Sequence, residues 1–188
     1  LERYGMTETN MNTSNPYDGE RRAGTVGFPL PGVSLRVCDP DSGKQLPDGE
    51  IGMIEVRGPN VFQGYWQMPE KTAAELRPDG WFITGDLGRI DEDGYLQIVG
   101  RDKDLIISGG LNIYPKEVEG VLDAVPGVLE SAVIGVPHPD FGEAVLALIV
   151  AEPGADPDLD AAMDSVRKQL ARFKHPRALI PVDVLPRN

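Results

Sequence analysis

The chain is short of the residues that build disulfides and zinc sites. It has one cysteine, Cys38, and two histidines, His138 and His175. A lone cysteine has no partner within the chain, which excludes an internal disulfide, and one thiol with two imidazoles does not make a Cys/His zinc cluster. Long hydrophobic runs are missing as well: no apolar stretch approaches the ~20 residues of a membrane-spanning helix. No signal-like segment opens the residues given. Positive charge is in deficit, with 18 Lys and Arg against 30 Asp and Glu, a net charge of −12. That balance argues against general nucleic-acid binding, which draws on a basic surface. It leaves room for an anionic ligand, because a local field can oppose the global one. The expectation from these absences is a cytoplasmic protein that uses neither a membrane span nor nucleic acid.

What is present suffices for one domain or two small ones, since 40% of the 188 residues are apolar. Residues 1–102 read as β-rich. Val33, Leu35 and Val37 alternate with Ser34 and Arg36, and Ile54 and Val56 repeat the pattern, as half-buried strands do. Asp48-Gly49, Asp79-Gly80 and Asp93-Gly94 mark turns. Residues 86–90 and 95–99 suggest a hairpin with a four-residue loop, and the several short strands suggest a barrel-like portion. Residues 9–32, polar and rich in Gly and Pro, are expected to form a long ordered loop. From 103 the character changes. Leu105-Ile106-Ile107 is a short strand. Val118, Val121, Leu122 and Val125 share one helix face between Pro115 and Pro126-Gly127. Two apolar runs, 132–136 and 144–151, favour strands. Leu159, Met163, Val166, Leu170 and Phe173 mark a second amphipathic helix, and 179–184 a last strand. The fold class is therefore α+β: a β-rich portion at 1–102, then a small module at 103–188 with a short sheet and two main helices. Both ends read as cut, which suggests a piece of something longer.

The chemistry-bearing residues fall in three runs. In Tyr4-Gly5-Met6-Thr7-Glu8 the tyrosine offers a ring face, and stacking a base on an aromatic contributes ~1–3 kcal/mol. Gly5 lets a ligand approach the backbone, Thr7 can donate to a phosphate oxygen, and Glu8 can hold magnesium, which favours one or two carboxylates plus substrate phosphates. The structural alternative is a strand end with a solvated Glu8. In Thr84-Gly85-Asp86 the carboxylate can accept from two neighbouring ribose hydroxyls, each such charge-assisted bond contributing about 1.5–3 kcal/mol; alternatively it caps a turn. Arg101 offers a planar fork of donors, or pairs with Asp102 or Asp104. Ser108-Gly109-Gly110 matches neither the P-loop nor the dinucleotide fingerprint and suggests a slot for a thin ligand or a close backbone contact. Arg167, Lys168, Arg172, Lys174 and Arg177 stand against Asp164 alone between 164 and 177; they are either a solvated helix face or a docking patch for a phosphate-bearing ligand.

Taken in order, these runs resemble the adenylate-forming superfamily of acyl-CoA synthetases, peptide-synthetase adenylation domains and beetle luciferases. The resemblance spans nearly the whole chain: Tyr4-Gly5-Met6-Thr7-Glu8, Gly64-Tyr65-Trp66, Trp81-Phe82-Ile83-Thr84-Gly85-Asp86, Gly100-Arg101-Asp102-Lys103-Asp104, Ser108-Gly109-Gly110 through Tyr114-Pro115-Lys116-Glu117-Val118-Glu119, and Leu185-Pro186-Arg187. Glu2-Arg3-Tyr4 through Met11, with Asn15-Pro16-Tyr17, is most similar to malonyl-CoA synthetases. The resemblance implies an ATP-dependent acid–thiol ligase: ATP and a carboxylate, here malonate or methylmalonate, give an acyl-adenylate, and coenzyme A then displaces AMP. It implies that Tyr4 stacks on adenine, that Gly5 and Met6 belong to the same nucleotide-binding run, that Thr7 contacts phosphate and Glu8 holds Mg2+, and that Asp86 and Arg101 grip the ribose with Ile98 near the adenine. It further implies that Lys103 is a hinge and that Gly109 and Gly110 line the pantetheine path. On this reading 1–102 belongs to a larger AMP-binding domain and 103–188 is a mobile C-terminal domain. The family's phosphate loop and adenylation lysine lie outside the 188 residues, which by themselves are expected to carry out little or no adenylation. Two other readings are an adenylation domain that loads a carrier protein and a non-catalytic nucleotide-binding or interaction module.

Overall fold

The computed structural model describes residues 1–186. Arg187, the last residue of the Leu185-Pro186-Arg187 run, lies outside them. The chain divides into two compact units, Leu1–Asp102 and Lys103–Asn188. No helix among the described residues is long and apolar enough to cross a membrane.

The first unit holds two open sheets. β1 (Arg3–Met6), β2 (Asn10–Ser14) and β3 (Phe28–Pro29) form one, in that order, with antiparallel pairing. β4 (Ser34–Cys38), β5 (Gly52–Arg57), β6 (Phe82–Ile90) and β7 (Leu96–Arg101) form an antiparallel meander. α1 (Pro69–Glu75) is a short helix ahead of β6. Neither sheet closes on itself, so the expected barrel-like portion is a pair of open sheets. The expected loop at 9–32 also needs correction, because it contains β2 and β3. Polar residues there are buried and paired: Thr13 Oγ1 donates to the Val26 carbonyl at 2.7 Å and Asn15 Nδ2 to that of Thr25 at 2.7 Å. The β6–β7 connection is 91–95 rather than four residues, because Tyr95 also leaves the ladder and its N–H donates to the Asp91 carboxylate.

Ile54, Val56 and Leu96 are fully buried with Tyr4 against them, and Ile98 packs on the same cluster. Removing such side chains from water contributes roughly 1.5–3 kcal/mol each. At the centre of the meander sits a buried carboxylate. Glu55 Oε2 accepts from Arg36 Nη2 and Oε1 from Arg77 Nη2, both at 2.6 Å. A buried charge survives only when paired in this way, and the pairing ties the chain entering β6 to β4 and β5.

The second unit is one sheet under two helices. β8 (Ile106–Ser108) and β9 (Leu111–Ile113) form a hairpin. α2 (Pro115–Leu122) follows, then β10 (Val128–His138) and β11 (Gly142–Ala151), paired along their length. α3 (Leu159–Gln169) crosses over to β12 (Ala178–Pro181), which pairs parallel with β11 as such a crossover requires. The Asp158 carboxylate accepts from the Asp160 and Ala161 N–H groups, capping α3. Val145, Ala147 and Ile149 alternate on β11 and meet Val118 and Leu122 of α2 and Ala162 and Val166 of α3 in one core. The α+β class and the two main helices of this unit stand as expected.

Candidate functional site

In the first unit, β6 aims the decisive carboxylate. β5 and β6 lose register between Met53 and Glu55, so Thr84-Gly85-Asp86 bulges opposite Ile54. Gly85 sits at φ 75°, a left-handed conformation that glycine adopts without penalty. The Thr84 hydroxyl donates to the Ile54 carbonyl at 2.8 Å and accepts from the Asp86 N–H at 3.1 Å. A bulge re-aims the side chain that follows it. Asp86 thus lies within β6, not at a turn. Its Oδ2 accepts from the Tyr4 hydroxyl at 2.6 Å, and its Oδ1 lies 3.6 Å from Arg101 Nε, the residue opposite it on β7. Arg101 therefore faces Asp86 rather than Asp102 or Asp104. Burial, with the bond to Asp86, pushes the Tyr4 phenol well above its ordinary pKa, so it stays a neutral donor. The carboxylate keeps lone pairs on both oxygens for further donors, which fits a diol.

The other members of the first run follow from β1. Gly5 lies where a Cβ would run into the Asn10 carbonyl across the β1–β2 pair. Met6 is half-buried, Thr7 is exposed and Glu8 is half-buried in the turn after the strand. The Glu8 carbonyl accepts from Phe62 N–H at 2.8 Å. Its Oε1 lies 3.0 Å from the Tyr65 hydroxyl, which also lies 2.6 Å from Glu75 Oε2 on α1. Burial, then Glu75 and Glu8, raise the Tyr65 pKa. Sequence reasoning gave Tyr65 and Glu75 no role; the only signal was Gly64-Tyr65-Trp66. Among the described residues no three His, Cys, Asp or Glu gather as a metal cluster. Glu8, with Glu75 across the shared Tyr65 hydroxyl, makes a pair of carboxylates, which suits Mg2+ that takes one or two carboxylates and keeps water and substrate phosphates as its other ligands.

Lys103, Gly109 and Gly110 belong to the second unit. Lys103 is the exposed middle residue of a 3-10 turn, Asp102–Asp104, at the boundary between the units. Gly109 (φ 58°) and Gly110 (φ 78°) are the two central residues of the β8–β9 turn. A two-residue hairpin loop with both φ angles positive is a glycine position for backbone reasons alone. Beside it lies a cleft of about 860 Å³ lined by Ser108, Gly109, Phe141, Arg172, Phe173 and Arg177, among others. The Arg177 guanidinium lies 5.1 Å from the Phe141 ring centroid. Of the late basic residues, Lys174 is held by Glu117 at 2.6 Å; Arg167, paired with Asp164 at 3.0 Å, lines the cleft together with Arg172 and Arg177.

Two family models match the chain. Residues 1–66 match the AMP-binding enzyme model and residues 117–188 the model of the AMP-binding enzyme C-terminal domain. The 2-succinylbenzoate–CoA ligase of Geobacillus kaustophilus is 45% identical over 187 residues, covering 98% of this chain and 38% of that protein. The sulfoacetate–CoA ligase of Cupriavidus necator is 43% identical over 190 residues, covering 100% and 37%. The crystal structure of ATP-bound MatB from Rhodopseudomonas palustris is 66% identical with a TM-score of 0.94, covering 100% of this chain and 37% of that one. The chain thus spans well under half the length of the relatives it matches. Both halves of it carry the sequence and fold of the AMP-binding enzymes, and the chain belongs to that adenylate-forming, acyl-CoA ligase family.

Proposed function

We propose that the chain acts within an ATP-dependent acyl-CoA ligase that forms an acyl-adenylate and then a CoA thioester, with malonate or methylmalonate as the carboxylate. The observation that carries the nucleotide part is the Tyr4–Asp86–Arg101 arrangement: an aromatic, a carboxylate with unfilled lone pairs and a guanidinium, assembled on β1, β6 and β7. In this reading Asp86 and Arg101 hold the ribose, Tyr4 fixes Asp86 and borders the adenine with Ile98, and Gly5 and Met6 complete the nucleotide run. Thr7 donates to phosphate and Glu8 holds Mg2+, which screens the phosphate charge. Lys103 is the hinge between the AMP-binding portion, 1–102, and the C-terminal domain, 103–188. In the second unit Gly109 and Gly110 border the pantetheine arm. The cleft with Arg172 and Arg177 suits the phosphate-bearing part of CoA, because arginine meets phosphate with a fork of donors. Malonate is supported by the likeness of Glu2-Arg3-Tyr4 through Tyr17 to malonyl-CoA synthetases and by the 66% identity to MatB. The curated relatives are named for varied carboxylates, so the acid is the part most in need of measurement.

The test is a scan of mono- and dicarboxylates with the full-length protein, reading AMP release with CoA present. Malonate or methylmalonate is expected to exceed acetate, succinate and aromatic acids; a flat profile or a preference for a monocarboxylate overturns the substrate assignment. Calorimetry with AMP then compares wild type and Asp86→Ala. Loss of even one charge-assisted hydrogen bond is expected to weaken AMP by roughly 10-fold or more, and unchanged affinity removes Asp86 from the site.

A further inference from the structure

The turn formed by Ser108-Gly109-Gly110 is tied down by a residue that the family reading leaves without a task. β8 meets β11 at a single pair, Ser108 opposite Gly142, so the two strands part immediately. Three bonds close the gap. The Gly109 N–H donates to the Phe141 carbonyl at 2.9 Å. The Ser108 hydroxyl donates to the Glu143 carbonyl at 2.6 Å. The Ile107 N–H donates to Glu143 Oε2 at 2.7 Å, so a carboxylate stands in for the missing strand partner. Bonds from a backbone N–H to a carboxylate are charge-assisted and stronger than neutral ones.

The neighbouring strand makes room for that carboxylate. Gly135 of β10 lies on the same face as Glu143, next to it along the ladder. A Cβ on Gly135 would run into Glu143 Oε1 and stand 2.9 Å from its Cδ. Gly135 is not among the glycines at positive φ. Its backbone therefore does not call for glycine, and the space it leaves is filled by the Glu143 side chain.

We infer that Glu143 is a positioning residue for the 108–110 turn, seated by Gly135, and that through this turn it sets the wall against which the thiol arm of CoA is held. The inference rests on the proposed function. The Glu143 side chain bonds the turn and lies against Gly135, so its effect is expected on the second half-reaction alone. Only an acceptor is required at Oε2, so a glutamine oxygen can replace it, whereas alanine cannot. Gly135→Ala tests the same contact from the other side. Because the nearest obstructed atoms are the end of the flexible Glu143 side chain, the carboxylate is displaced, while Ile106 Cγ2, 3.3 Å from the new Cβ, yields by a few tenths of an ångström.

The experiment compares wild type, Glu143→Gln, Glu143→Ala and Gly135→Ala in the full-length protein. It measures ATP–pyrophosphate exchange, thioester formation as a function of CoA, and amide hydrogen exchange at Ile107, Ser108 and Gly109. Glu143→Ala and Gly135→Ala are expected to speed exchange of those amides and to raise the KM for CoA roughly 10-fold or more. ATP–pyrophosphate exchange is expected to stay within about two-fold, and Glu143→Gln to stay near wild type in every readout. An unchanged KM for CoA in both Glu143→Ala and Gly135→Ala overturns the inference, as does an equal loss in both half-reactions, which marks Glu143 as merely structural. Absence of CoA-dependent AMP release in the wild type itself overturns the proposed function instead; the amide-exchange readout still reports then whether Glu143 holds the turn.

Discussion

At the scale of single residues, the site is made of side chains that hold other side chains. The Tyr4 hydroxyl fixes one oxygen of Asp86. The Tyr65 hydroxyl stands between Glu8 and Glu75. A phenol has one proton and cannot donate to both carboxylates at once, so the pair shares a single donor. With Lys71 Nζ 4.1 Å from the Tyr65 ring centroid, a cation offsets part of that negative charge. Removing the hydroxyl frees the Glu8 carboxylate to rotate. Tyr65→Phe is therefore expected to raise the Mg2+ concentration for half-maximal ATP–pyrophosphate exchange roughly 10-fold, the lower end of what partners of metal-holding groups contribute. The check is a Mg2+ titration at saturating ATP; an unchanged midpoint separates Tyr65 from Glu8. Tyr65 was in view in the sequence as part of Gly64-Tyr65-Trp66, but its partners lie 57 and 10 positions away, and a linear pattern does not reveal such a meeting.

At the scale of elements, the open sheets of the first unit depend on a pinned connection. The loop after β2 returns to the β6–β7 turn, where Arg22 bonds Asp91 and Asp93, each at 3.0 Å. Partial burial works against the charged form of Asp91, but the backbone N–H groups of Tyr95 and Asp93 and the Arg22 guanidinium outweigh it and hold the pKa below the usual aspartate range. A group whose pKa is lower folded than unfolded adds stability above its unfolded pKa, about 3.9, and loses it as pH falls through the folded value. Asp91→Asn is expected to lower the urea midpoint at neutral pH, and the gap to wild type to close as pH drops below about 4. A gap that does not narrow as pH falls below about 4 assigns the loss to the turn geometry rather than to the charge. β2 escaped sequence reasoning because its two buried residues are Asn12 and Thr13, polar residues that read as loop until their hydrogen-bond partners are known. α1 escaped because it is seven residues long and buries none of them.

At the scale of the whole molecule, the division at Asp102 and Lys103 is the structural basis for the hinge in the proposed function. Proline fixes φ near −65°. Lys103→Pro in the full-length protein is expected to hold one domain arrangement and to slow one half-reaction at least ~10-fold more than the other, since in the proposed function a conformational step gates their alternation. Separate measurement of ATP–pyrophosphate exchange and of thioester formation from preformed acyl-adenylate makes the comparison; equal losses remove the hinge from this position.

The sequence by itself determined the family, the change of character near residue 103, the two helices of the second unit and the runs proposed to carry the chemistry, because hydrophobic period, capping residues and short motifs are local properties. The tertiary structure alone decided that the sheets stay open, that a bulge at Gly85 aims Asp86 between Tyr4 and Arg101, and that Glu143 reaches Ile107 across the gap between β8 and β11. Those facts depend on register and on contacts between residues far apart in the chain, and neither is written in the spacing of residues along it.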